Sequence, residues 1–196
     1  MNLAPRLLSA FLCCGVFFCS ACARVPETQP LRDAGMGYST ISALREMNVS
    51  DAEVSELAAV VTSGVSEQDC VALLRLARER NQPFDSGSAV VGLRRAGLTP
   101  AGVMELARLN QLGAAATDAR IILLSGFSEA LILERARRIS RGQPSLGGAS
   151  LARLKNTGMS EAAILALLRG GATDDQVDAI VARREASARP GQFRRR

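Results

Sequence analysis

The chain repeats one short pattern that dictates how its helices begin and end. Three stretches align without gaps: Leu44–Val54 (LREMNVSDAEV), Leu93–Val103 (LRRAGLTPAGV) and Leu154–Ile164 (LKNTGMSEAAI). Three weaker copies turn around Gly64, Gly126 and Gly171. The shared rule is Leu-x-x-x-Gly-apolar-Ser/Thr-x-x-x-Val/Ile-x-x-Leu. Glycine, or Asn48 in the first copy, falls just past a helix end, where a left-handed backbone makes a Cβ costly. The residue after it (Val49, Val65, Leu98, Phe127, Met159 or Ala172) can pack back on the finished helix. The next one, Ser50, Ser66, Thr99, Ser128, Ser160 or Thr173, is an N-cap for the following helix. Ser50 with Glu53 and Thr173 with Gln176 match the capping box. Pro100 sits at a first helical position, where its missing N–H costs nothing.

Apolar residues six and nine places after the corner lie on one helix face. They are Val54 and Leu57, Cys70 and Leu73, Val103 and Leu106, Ile164 and Leu167, and Val177 and Ile180. The copy at Gly126 keeps Ile132 and then breaks the rule with Arg135. Asn48, Gly64, Gly97, Gly113, Gly126, Gly142, Gly158 and Gly171 give a rough period, with Asn81 close to the one missing turn. A helix plus a short turn fits that spacing. The expected fold is all-α, an array of about nine or ten short helices over residues 38–184. A solenoid-like stack and a compact orthogonal bundle both fit. The β-rich run Ala119–Leu124 ends in the Gly126 corner and is therefore assigned to helix.

The N-terminus has a different grammar. Met1 to Arg6 is a short basic segment, and Leu7 to Phe18 is an uncharged apolar run. The order is that of a secretory signal. Ser20-Ala21-Cys22 resembles a bacterial lipobox, in which a Cys receives lipid on sulfur and is cut on its amino side. The sequence departs from that pattern at Cys19, where a lipobox usually has Leu. The resemblance implies a signal peptide over residues 1–21 and lipidation at Cys22. Two alternatives stay open: an ordinary cut after Ala23, and an uncleaved anchor. All three place the body outside the cytoplasm. Ala23 in place of Asp favours the outer membrane in a lipoprotein of Gram-negative type. Residues 22–37, with Pro26, Pro30, Gly35 and Gly37, read as a flexible tether.

Composition narrows the chemistry. Four of the five cysteines lie in or at the end of the signal, which leaves Cys70 without a disulfide partner. Cys70 also occupies a slot filled elsewhere by Val or Ile, so it reads as core. The chain has no His, hence no imidazole base and no usual zinc or haem ligand. No P-loop, nucleophile elbow or dinucleotide fingerprint is present. Asp174, Asp175 and Asp178 are the densest carboxylate group, and they read as first-turn acids matched to a helix dipole. No catalytic residue, metal site or cofactor is therefore assigned. The Gly-apolar-Ser/Thr corner also resembles the turn of helix-turn-helix DNA binders. Here it recurs, and its following helices are acidic, so nucleic acid is not an expected partner.

The net charge of +5 is unevenly placed. Residues 22–182 hold 17 basic and 18 acidic side chains, whereas residues 183–196 hold six Arg and one Glu. Residues 185–196 read as a basic disordered tail. Arg183, Arg184, Arg189, Arg194, Arg195 and Arg196 are the candidate contacts to an anionic polymer or lipid surface. The expected function is a lipid-anchored cell-envelope module that binds another envelope protein. Docking on an anionic surface through the Arg tail is the alternative. Azido-fatty-acid labelling checks the anchor: wild type is expected to label and Cys22→Ala to lose the label. Equal labelling of both would remove the lipoprotein reading.

Overall fold

The fold was obtained as a computed structural model, which describes residues 26–113 and 115–188. Among the described residues there are eleven helices and no strand. The odd-numbered helices are α1 (Gln29–Asp33), α3 (Asp51–Thr62), α5 (Gly87–Arg95), α7 (Ala115–Leu124), α9 (Gly148–Asn156) and α11 (Asp174–Ala188). The even-numbered ones are α2 (Tyr38–Glu46), α4 (Glu67–Glu79), α6 (Pro100–Arg108), α8 (Glu129–Ser140) and α10 (Glu161–Arg169). Each odd helix packs on the next odd helix, and each even helix on the next even one. The array is thus two parallel rows of helices, the solenoid-like form of the expected all-α fold.

Every one of the ten connections carries one left-handed residue. These are Gly35, Asn48, Gly64, Asn81, Gly97, Asn110, Gly126, Gly142, Gly158 and Gly171. The corner works as its residues require. At Gly97 (φ 102°) the chain reverses, and the Leu98 N–H bonds the Leu93 carbonyl at 3.0 Å. Leu98 is fully buried. Thr99 then accepts from the Gly102 N–H at 3.0 Å and starts α6. Ser50, Ser66 and Ser160 cap their helices in the same way. Ser50 and Glu53 complete the capping box, whereas at Thr173 only the half in which Gln176 accepts from the Thr173 N–H is formed.

Three expectations need correction. Gly113 is not a corner; the left-handed residue there is Asn110 (φ 58°), three places earlier. Asn tolerates this conformation through its short polar side chain. Part of the expected tether, residues 22–37, is the helix α1, because Leu31 and Met36 are buried at the start of the odd row. Helix α11 runs to Ala188, past the expected start of the tail at residue 185. Ten helices, α2 to α11, begin within residues 38–184, as expected. The signal segment and residues 189–196 lie outside the described residues.

The two rows are not packed alike. A Cβ on Gly87 of α5 would stand 2.8 Å from the Glu56 carbonyl of α3, and one on Gly148 of α9 3.0 Å from the Asp118 carbonyl of α7. Backbones therefore nearly touch within the odd row. In the even row the atoms nearest a Cβ on Gly102 would be those of the Glu129 carboxylate.

Polar side chains tie each repeat to the one before. The first-turn acid of a helix accepts from the N-cap N–H one repeat earlier. Glu67 does so from Gly37 (3.0 Å), Glu129 from Thr99 (2.8 Å), Glu161 from Ser128 (3.2 Å) and Asp174 from Gly147 (3.0 Å). Cations reach corner carbonyls one repeat back: Arg94 to Ser63, Lys155 to Gly126 and Arg184 to Thr157. Both sets complement helix-end dipoles.

Glu53 is the most buried carboxylate, with a side chain 5% exposed. It accepts two bonds from Arg78 of α4 (2.7 and 2.8 Å) and one from the Phe84 N–H (2.9 Å), besides those from Ser50. Burial alone would raise its pKa. The Arg78, Phe84 and Ser50 donors outweigh burial and hold it down at about 2, from an ordinary 4.5. A carboxyl lowered on folding stabilises above its unfolded pKa and loses that contribution as pH falls through the folded one. Chemical denaturation should show wild type losing about 3 kcal/mol between about pH 5 and pH 2 relative to Glu53→Gln. Parallel pH profiles for the two proteins would refute this role.

Candidate interaction surface

The residues singled out by sequence separate into two sets. Cys22, Arg189, Arg194, Arg195 and Arg196 lie outside the described residues. Arg183 and Arg184 lie exposed on α11, and the Arg184 guanidinium donates to the Thr157 carbonyl at 3.5 Å. Arg184 thus takes part in the stack as well as in the basic run. The three aspartates do not converge. Asp174 caps Gly147, and Asp178 pairs with Arg153 of α9. Among the described residues no group of three or more acids and thiols is arranged to hold a metal.

Cys70 is fully buried on α4, in the Val/Ile slot. Burial, with Asp69 and Glu67 adding to it, pushes its thiol up to about 12. A thiol held protonated is a poor nucleophile. Arg135, which breaks the apolar rule, is buried as well. It donates to the Leu146 carbonyl (2.7 Å) and to Asp118 (2.5 Å), so it replaces an apolar contact by bracing the α8–α9 loop against α7.

What remains open is the outer face of the odd row. Between α3, α5 and α7 lies a trough of about 460 Å³ floored by Ala59, Val91, Gly92 and Leu124 and edged by Arg95 and Arg120. Leu124 is 68% exposed and Ile121 38%, and both stand on the same stripe of α7 as Arg120. The stem of Arg120 crosses α5 at Gly92, where a Cβ would lie 3.9 Å from it. Neither Arg95 nor Arg120 has a carboxylate partner among the described residues. Exposed apolar side chains beside unpaired guanidiniums can bury an apolar anchor and meet its flanking carboxylates.

A second concavity, of about 420 Å³, lies where the α4–α5 and α6–α7 loops meet. Phe84 and Leu112 are buried beneath it, and Arg80 closes it by donating to the Arg108 carbonyl at 3.0 Å. The loop after α4, like those after α6 and α8, has Gln (Gln82, Gln111 and Gln143) where the other corners have an apolar residue. The apolar plug then comes two to four residues past the corner, as Phe84, Leu112 and Leu146.

Sequence reading missed the trough. Leu124 falls on a β-rich run without an apolar partner to align it, and Arg95 and Arg120 sit in different repeats. The only trace is an apolar residue at a helix position that the repeat rule leaves polar. No protein-family model matches the chain, no curated protein matches it, and no solved structure matches it.

The thiol reading has a direct check. Under native conditions Cys70 should resist a bulky thiol reagent, as followed by mass-spectrometric mapping. Cys70→Val should change stability by less than about 1.5 kcal/mol, being a near-isosteric core change. Rapid native modification would overturn both.

Proposed function

We propose that this chain is an exported, lipid-anchored envelope protein that acts as a helical interaction module. The observation that carries the reading is the odd-row trough, with its exposed Leu124 and unpaired Arg95 and Arg120. Repeat arrays commonly bind along such a continuous face, because adjacent repeats extend it. Contiguous apolar surface rimmed by polar groups marks contact sites, and the floor of Ala59, Val91, Gly92 and Leu124 between two guanidiniums has that arrangement. The lipobox resemblance at Cys22 and the preceding apolar run support the envelope address. Among the described residues no helix is long and apolar enough to cross a membrane.

The charge placement favours one second reading. Six arginines after residue 182, against a nearly neutral body, support contact of Arg183, Arg184, Arg189, Arg194, Arg195 and Arg196 with anionic lipid or polymer. The two readings use different surfaces and separate experimentally.

A photo-crosslinking amino acid at position 124 of the full chain, activated in cells, is expected to give a discrete protein adduct. The same group at position 75, on the even row, is expected to give none. Arg95→Glu with Arg120→Glu should abolish the adduct while leaving the helical spectrum unchanged. An adduct that persists in the double variant, or none at position 124, would remove the trough from the function. Sedimentation with anionic vesicles at low and high salt, with and without residues 189–196, tests the second reading. Salt-insensitive binding would sink it.

A further inference from the structure

The odd-row trough has a charge imbalance that specifies what fits it. Helices α3, α5 and α7 carry four acids, and the fold engages every one. Asp51 accepts from the Glu27 N–H (3.0 Å), Glu53 from Arg78 (2.7 Å), Glu56 from the Ser88 N–H (2.8 Å) and Asp118 from Arg135 (2.5 Å). Of the three arginines on these helices, Arg94 donates to the Ser63 and Leu98 carbonyls. Arg95 and Arg120 have no carboxylate partner among the described residues, and both line the trough. They reach α5 one turn apart: the stem of Arg120 crosses at Gly92, and Arg95 is three residues further along the same helix. Two guanidiniums beside an apolar floor, with every acid of the surrounding helices engaged elsewhere, suit an incoming carboxylate.

We infer that the trough takes an acidic amphipathic helix of a partner protein, which lays an apolar side chain on the floor and sets a carboxylate one turn away against Arg95 and Arg120. This occupant presupposes that the trough is a contact surface, as proposed above. Shape selects a helix. Both α3 and α7 pack on α5, so their axes stand roughly 16–20 Å apart, which leaves room for a helix about 10 Å wide. Between them α5 lies low, since the atom nearest a Cβ on Gly92 would be Cδ of Arg120, 3.9 Å away. Leu124, 68% exposed, stands on α7 as the wall against which an apolar anchor packs. A flat bilayer would touch Leu124 without reaching the floor at Ala59 and Gly92, which disfavours lipid. Charge selects the acid. A neutral helix would cover the two guanidiniums without pairing them, and a basic one would be repelled.

The test maps, by mass spectrometry, the residue joined in cells to a photo-crosslinking group at position 124 of the full chain. That residue is expected to lie in a helical segment with Asp or Glu about one turn away. A synthetic peptide of the mapped segment, followed by fluorescence anisotropy with the purified chain, should bind, and should weaken several-fold between about 50 and about 500 mM salt. Arg95→Glu with Arg120→Glu should weaken it about a hundredfold or more. Replacing the peptide's acids by Lys should restore binding to that double variant and abolish it on wild type. Circular dichroism confirms that the double variant stays helical. Absence of any adduct at position 124 would remove the contact surface itself, and this occupant with it. With an adduct present, attachment to lipid, to a second copy of this chain or to a segment without acids would overturn the acidic helix alone. So would a peptide that does not bind, an affinity that ignores salt, or a charge reversal that fails to exchange the two peptides.

Discussion

The left-handed corner is the constraint from which the rest of this structure follows. A helix that ends in a Gly or Asn at positive φ reverses within about three residues. The residue after the turn is then aimed back at the helix just completed, and the next hydroxyl is placed to start another. Applied ten times, this returns every second helix to the same row and packs α4, α6, α8 and α10 each on the helix before it. Local backbone chemistry thereby produces a two-row array with contacts almost wholly between near neighbours. Such a topology stores its stability repeat by repeat.

The polar ladders fix the register of that stack. Short helices leave a large share of their N–H and C=O groups without intrahelical partners. In this chain many of those groups are satisfied from the next repeat, by a first-turn acid at one end and by an Arg or Lys at the other. Several of the charged side chains, among them Glu67, Glu129, Asp174, Arg94 and Lys155, are committed to main-chain groups about thirty residues away. Arg95 and Arg120 carry no such commitment and edge the one trough between α3, α5 and α7. Exposed apolar side chains beside them give the odd row a surface of its own.

Much of the fold was legible in the repeat. Gly64, Gly97, Gly126, Gly158 and Gly171 all sit at corners, as does Asn81. Cys70, Val54, Val103 and Ile164 are buried in their shared slot. Gly113 misled because spacing alone treats every glycine as equivalent, whereas Asn110 ends α6 earlier and leaves room for the longer loop that carries Leu112. The first helix was hidden by Pro30, which is compatible with an opening turn but looks like a breaker when read alone. The trough was not legible. It is assembled from α3, α5 and α7, and no single repeat contains it.

The sequence by itself determined the all-helical class, most of the corners, the caps and the inert setting of Cys70. Each is a local matter, settled by a residue and its neighbours within one turn. Only the tertiary structure decided that the helices form two rows, that Gly87 and Gly148 bring odd-row backbones close, and that Leu124 is left open. It also decided which charges are used as struts. These depend on which repeats lie side by side and at what separation. A period read along the chain gives the order of the helices but not the distances between them.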